Sequence, residues 1–114
     1  MKHRESIMQR EAVKWFRLQY PKLKLIAIPN GGKRGKIEAA IMKAEGVLAG
    51  AADLFLIRAN ENYYGLWIEM KTETGKLTAS QMRFRDYVVS EGFQYVVCRS
   101  LDQFMELVTN YLKQ

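Results

Sequence analysis

Asp53, Glu69 and Lys71 are the residues whose types and spacing could do chemistry together. Asp53 opens the apolar run Leu54 to Ile57, and Glu69 and Lys71 close the later run that begins at Tyr64. Between the runs, Asn60-Glu61-Asn62 reads as a turn, because short polar amides tolerate turn dihedrals. A hairpin centred near Glu61 pairs residues whose numbers sum to about 122, which puts Asp53 opposite residue 69. Strand side chains alternate, so Glu69 and Lys71 share one face while Ile68 and Met70 take the other. Two converging carboxylates raise each other's pKa unless a cation sits between them. Mg²⁺ or Mn²⁺ prefers such oxygen ligands, and the backbone carbonyl of Met70 offers one more. A lysine beside the metal can orient or deprotonate an attacking water. Taken alone, the three residues also read as a solvent-facing strand pair with a turn aspartate.

Two further polar residues lie on otherwise apolar faces. Glu5 falls within the helical stripe of Met8, Ala12, Trp15 and Phe16, and charge on such a stripe needs a partner. It is equally a first-turn acid favoured by the helix dipole. Gln81 shares a face with Phe84 and Val88, where its amide can hold a water or ligand, and it also completes a capping-box spacing with Thr78.

The elements that must position these residues follow from hydrophobic periodicity. A first helix is expected from about Arg4 to Gln19, stopped by Pro21. Leu23 to Ile28 reads as a strand, followed by the turn-rich basic loop Pro29 to Gly35. Ile37, Ala40, Ile41 and Ala44 give a second helix ending at Gly46. The hairpin follows, then a helix from Thr78, a strand from Phe93 to Cys98, and an amphipathic helix capped by Ser100. The order α-β-α-β-β-α-β-α favours an α/β fold, a central mixed sheet flanked by helices.

Composition bounds the rest. The 114 residues, 48% hydrophobic and 11% aromatic, suit a single globular domain over 1–114. One Cys and one His exclude an internal disulfide framework, multi-Cys zinc sites and His-rich metal motifs. Eighteen basic against twelve acidic residues leave a net charge of +6, which points to a polyanionic partner such as nucleic acid. No apolar run approaches the length of a membrane span, the N-terminus lacks a signal-peptide core, and the lone Cys98 accords with a cytoplasmic address. There is no GxxxxGK[ST] or GxGxxG phosphate loop.

The ordered series Glu5-Ser6-Ile7-Met8-Gln9, Pro29-Asn30-Gly31-Gly32, Lys43 to Asp53, Glu69-Met70-Lys71 and Gly75 to Gln81 resembles VRR-NUC domains. These are the virus-type replication-repair nucleases of the PD-(D/E)XK superfamily, and the resemblance covers Glu5 to about Arg99. It implies a restriction-endonuclease-like fold, here with an extra helix around Ile37 to Glu45, and Mg²⁺- or Mn²⁺-dependent hydrolysis of phosphodiesters. By that resemblance Asp53, Glu69 and Lys71 are the motif's two acids and lysine, Glu5 the first-helix acid and Gln81 the downstream glutamine. Glu5, Asp53, Glu69 and the Met70 carbonyl are then the metal ligands. Ala52 stands where the family usually has proline, which shapes the turn and does not bind metal. Members of this size are similar to homodimeric Holliday-junction resolvases, so branched DNA is the implied substrate; a dimer delivers two sites to a two-fold junction.

Lys33, Arg34 and Lys36 on the glycine loop, with Lys76 and Arg83 beside the motif's end, are candidate phosphate contacts. Two other readings share these residues. One is a non-catalytic, basic nucleic-acid-binding module that keeps only the fold; the other is a nuclease directed at RNA or single strands.

Overall fold

The computed structural model describes residues 2–29 and 35–114. In chain order these form α1 (Lys2–Gln19), β1 (Leu25–Ala27), α2 (Lys36–Ala44), β2 (Leu54–Leu56) and β3 (Leu66–Met70). α3 (Ala79–Ser90), β4 (Gln94–Cys98) and α4 (Leu101–Leu112) follow. The four strands make one mixed sheet in the order β1-β2-β3-β4. β1 and β3 each pair antiparallel with β2, and β4 runs parallel to β3. The parallel pair needs a crossover, which α3 provides.

The hairpin register is the one expected from the turn: Leu54 faces Ile68, Phe55 faces Trp67 and Leu56 faces Leu66. The strands are shorter than the apolar runs that announce them, because Ile57 to Gly65 forms a wide connection. Asn60 shapes it, its Oδ1 accepting from the N–H groups of Asn62 and Tyr63 at 2.8 Å. The connection is tied to the last helix by the Tyr111 hydroxyl, which donates to the Arg58 carbonyl at 2.6 Å.

The sheet has two unlike faces. On one, α1 and α4 bring Phe16, Phe104, Val108 and Tyr111 onto Leu54, Leu56, Leu66, Ile68 and Met70. These positions alternate along β2 and β3, as a half-buried sheet requires. On the other, α3 covers a smaller cluster of Ala51, Ala52, Phe84 and Val88, packed against Trp67, Phe93 and Tyr95. Trp67 stacks on Phe55 at 4.2 Å and meets Phe84 edge-on at 5.0 Å.

The expected helix starts have distinct chemistry. Thr78 forms a complete capping box with Gln81. Ser100 caps α4 through the Gln103 N–H, but the Gln103 side chain accepts from the Arg99 N–H instead of reciprocating to Ser100. α2 forms where periodicity places it, yet none of its residues is buried. The stripe Ile37, Ala40, Ile41 and Ala44 stays exposed. No helix among the described residues is long and apolar enough to cross a membrane.

Candidate active site

The site grows out of one end of the β2–β3 hairpin. Asp53 immediately precedes β2 and is held from both sides. Its carbonyl accepts the Ile28 N–H at 2.8 Å, and its carboxylate Oδ2 accepts the Met70 N–H at 2.7 Å. The side chain thus takes the place of the next ladder bond and cannot swing away without stranding a backbone donor. Met70 directs its own side chain into the core on the α1–α4 side.

Glu69 lies on the opposite face, beneath α3, and is only 3% exposed. A carboxylate there is costly unless it is paired. Gln81 supplies one partner: its Nε2 donates to Glu69 Oε2 at 3.2 Å. The same amide is fixed at its other end, where Oε1 accepts the Thr78 N–H at 2.9 Å. The capping role and the contact with Glu69 therefore coexist in one side chain. Glu69 Oε1 is buried and finds no hydrogen-bond donor among the described residues.

Burial, reinforced by the Asp53 carboxyl beside it, pushes Glu69 from its ordinary 4.5 up to about 8. The charge of Lys71 opposes that rise, and Glu5 adds to it weakly. A carboxyl–carboxyl contact has no donor of its own once both groups ionise. It is satisfied by a shared proton or by a cation. The orphaned Oε1 and the adjacent Asp53 therefore suit a hard divalent ion, which is commonly bound through one or two carboxylates while retaining waters. Among the described residues no three His, Cys, Asp or Glu side chains are grouped closely enough to hold a metal. The structure thus brings together Asp53 and Glu69, with Gln81 and Lys71 beside them. Glu5, half-buried on α1, bears on Glu69 through charge without joining a three-ligand cluster.

Lys71 follows β3 directly, its N–H donating to the Cys98 carbonyl at 2.9 Å. Its aliphatic stem runs past Gly75, where a side chain would crowd Thr72 Oγ1 and the Lys71 Cδ. The intervening turn is clamped by Arg99, whose Nη1 donates to the carbonyls of Thr72 at 2.9 Å and Gly75 at 2.6 Å. Sequence reasoning missed Arg99, because nothing local tells a strand-end arginine which distant carbonyls it will meet. It also missed Tyr95 on β4. The Tyr95 hydroxyl is buried without a partner among the described residues, and its pKa is raised by burial and by the charges of Glu69 and Asp53. Only the parallel β3–β4 register reveals that Tyr95 shares the face of Glu69.

Of the candidate phosphate contacts, Lys36 starts α2, Lys76 lies in the loop before α3 and Arg83 lies on α3, all exposed. Lys33 and Arg34, with Asn30, Gly31 and Gly32, lie outside the described residues.

Comparison with known proteins bears on the family and the fold. The family model for the VRR-NUC domain matches residues 3–102. A solved structure described as a VRR_NUC domain protein superposes with a TM-score of 0.83 at 28% identity. That superposition covers 96% of this chain and 88% of the other. No curated protein sequence gives a significant match.

Proposed function

The chain belongs to the VRR-NUC domain family, a family of nucleases, and from that premise we propose that it is a divalent-metal-dependent endonuclease hydrolysing phosphodiester bonds in branched DNA. The observation that carries this reading is Asp53 set beside the buried Glu69, whose Oε1 lacks a donor among the described residues. Asp53 and Glu69 would hold Mg²⁺ or Mn²⁺, with the Met70 carbonyl as a further oxygen and Glu5 as an additional acid. When bound, such an ion activates water and screens the charge of the phosphodiester.

The chain's own residues do the rest. Asp53 is aimed by the Met70 N–H, and Glu69 is aimed by Gln81, which is itself pinned to Thr78. Lys71 orients the attacking water and adds positive charge where the phosphate develops negative charge. Lys36, Lys76 and Arg83, with Lys33 and Arg34, hold flanking phosphates. Ala52 in place of the family's proline is fully buried in the cluster beneath α3. Asp53 is positioned by its two hydrogen bonds, so the reading does not require a proline.

A homodimer is part of the proposal. α2 supports it by presenting Ile37, 79% exposed, and Ile41, 51% exposed, with no buried residue of its own. A second copy meeting this stripe across a two-fold axis would cover it on both chains. The buried, free Cys98 accords with a cytoplasmic setting.

The test is cleavage of a labelled four-way junction beside linear duplex and single strand, with Mg²⁺, Mn²⁺ or EDTA, using wild type and Asp53→Ala. Metal-dependent junction cuts that vanish in the variant are expected. Cutting of all three substrates would keep the chemistry and remove the preference for branches. Junction binding without cleavage under any metal would make the chain a binding module.

A further inference from the structure

A cleft of about 820 Å³ is walled by α2, the segment Gly46 to Ala49 and one face of α3. Its volume is within the range of ligand sites, about 300–1,000 Å³. α3 contributes Ser80, Arg83, Phe84 and Tyr87, one face at i, i+3, i+4 and i+7. α2 contributes Ala39, Met42 and Lys43, a face different from its exposed isoleucine stripe. Leu48 closes the third side.

Two features give the cleft a chemistry. Its lining is apolar and aromatic, with Tyr87 63% exposed and free to receive a planar ring. Its charged lining residues, Lys43 and Arg83, are both cationic. Flat apolar surface beside positive charge complements a nucleobase flanked by phosphates, since base–aromatic stacking and backbone charge together bind unpaired strands. The cleft and the carboxylate site draw on the same two stretches of chain. Ser80 lines the cleft and its neighbour Gln81 touches Glu69. Ala49 lines the cleft, and Asp53 follows on the same segment. Gly50 welds the two walls: its φ is +88°, and a Cβ there would collide with the Ser80 carbonyl.

We propose that this cleft holds an unpaired nucleobase of the DNA next to the bond presented to Asp53 and Glu69, so that strands with unpaired nucleotides are preferred. The inference rests on the nuclease reading only for what the bound strand undergoes; the binding itself is independent of metal. Among branched DNAs, those with a flap or splayed arm would be selected, because their unpaired nucleotides reach the cleft without the cost of unstacking a base from duplex.

The experiment uses the full chain in EDTA. Its probes are a duplex with a 5′ single-stranded arm carrying 2-aminopurine at the branch point, and the matched blunt duplex. Tyr87→Ala and Leu48→Ala remove exposed cleft side chains, and Tyr87→Phe keeps the ring. Affinity of Tyr87→Ala for the branched probe should fall about 5- to 150-fold, the range for loss of one base–aromatic stack. Blunt-duplex affinity should be unchanged, Tyr87→Phe should bind like wild type, and the 2-aminopurine signal seen with wild type should vanish in Tyr87→Ala. Equal losses on both probes would overturn the nucleobase assignment, as would no loss on either. A change of oligomeric state in Tyr87→Ala and Leu48→Ala, with binding per site retained, would make the cleft a contact between copies and also overturn it. Selective loss of binding in a chain that cuts nothing under any metal would refute the nuclease reading and leave this one standing.

Discussion

The two faces of the sheet are built from the same strands and do opposite things. On the α1–α4 side, Leu54, Leu56, Leu66, Ile68 and Met70 meet Phe16, Phe104 and Tyr111, and each of these eight is at most 1% exposed. On the α3 side the cluster is smaller, and Trp67 Nε1, Tyr95 Oη and Glu69 Oε1 are buried without partners among the described residues. Because strand residues alternate, neighbours in sequence serve different ends: Ile68 and Met70 hold the fold, while Glu69 between them is placed where a carboxylate is least comfortable. The face with the larger apolar core offsets the cost of burying unsatisfied polar groups on the other, although one such atom, Gln94 Oε1, lies on the α1–α4 side.

The contrast breaks first where packing is tightest. Phe104→Ala should destabilise the protein by about 3–5 kcal/mol, the range for removing a fully buried aromatic. The cleft-lining Phe84, on the looser side, should cost clearly less when changed to Ala. Urea unfolding of both variants checks this, and equal losses would show that the α3 side carries as much of the core.

Asp53→Ala inverts the pattern. It should reduce metal-dependent cleavage at least about 10²-fold, as removal of a principal electrostatic group does. Thermal stability in chelator should change little, because removing the charge beside buried Glu69 offsets the Met70 N–H left without its acceptor. A large fall in melting temperature together with lost activity would mean that the Asp53–Met70 hydrogen bond, and not catalysis, is its main contribution.

A smaller effect follows from Glu69 itself. Its folded pKa of about 8 lies above the ordinary 4.5, so between these values the folded chain keeps a proton that the unfolded chain releases. The associated stability is complete below about pH 4.5 and is lost as pH rises through about 8. Melting in chelator from pH 5 to 9 should show this decline, Glu69→Gln should flatten it, and added Mg²⁺ should oppose it by favouring the ionised pair.

Much of this asymmetry is legible in the residues. The turn at Asn60 fixes the pairing of Leu54 with Ile68, and so the approach of Asp53 to the level of Glu69. Thr78 and Gln81 announce the start of α3 because capping is local. What was hidden depends on distant partners. The isoleucine stripe of α2 has the period of a buried face, but period says nothing of whether another element covers it. Tyr95 belongs with Glu69 only once β4 is known to run parallel to β3, and Arg99 acquires meaning only from the carbonyls of the turn it clamps.

Gln81 stands at the junction of stability and site, which makes the smallest prediction the most discriminating. Thr78→Ala removes the hydroxyl that accepts the Gln81 N–H, and should cost about 1 kcal/mol, as loss of an N-cap does. It leaves the Thr78 N–H in place, so the Gln81 carbonyl oxygen keeps its anchor and Nε2 still faces Glu69. Cleavage should therefore change little. Gln81→Ala leaves the Thr78 hydroxyl bond intact but removes the donor to Glu69, so cleavage should fall by more than stability does. If the two variants instead lose activity in proportion to their melting temperatures, Gln81 acts only through the helix it caps. If they separate, the glutamine serves the carboxylates directly and the cap is the means by which the helix aims it.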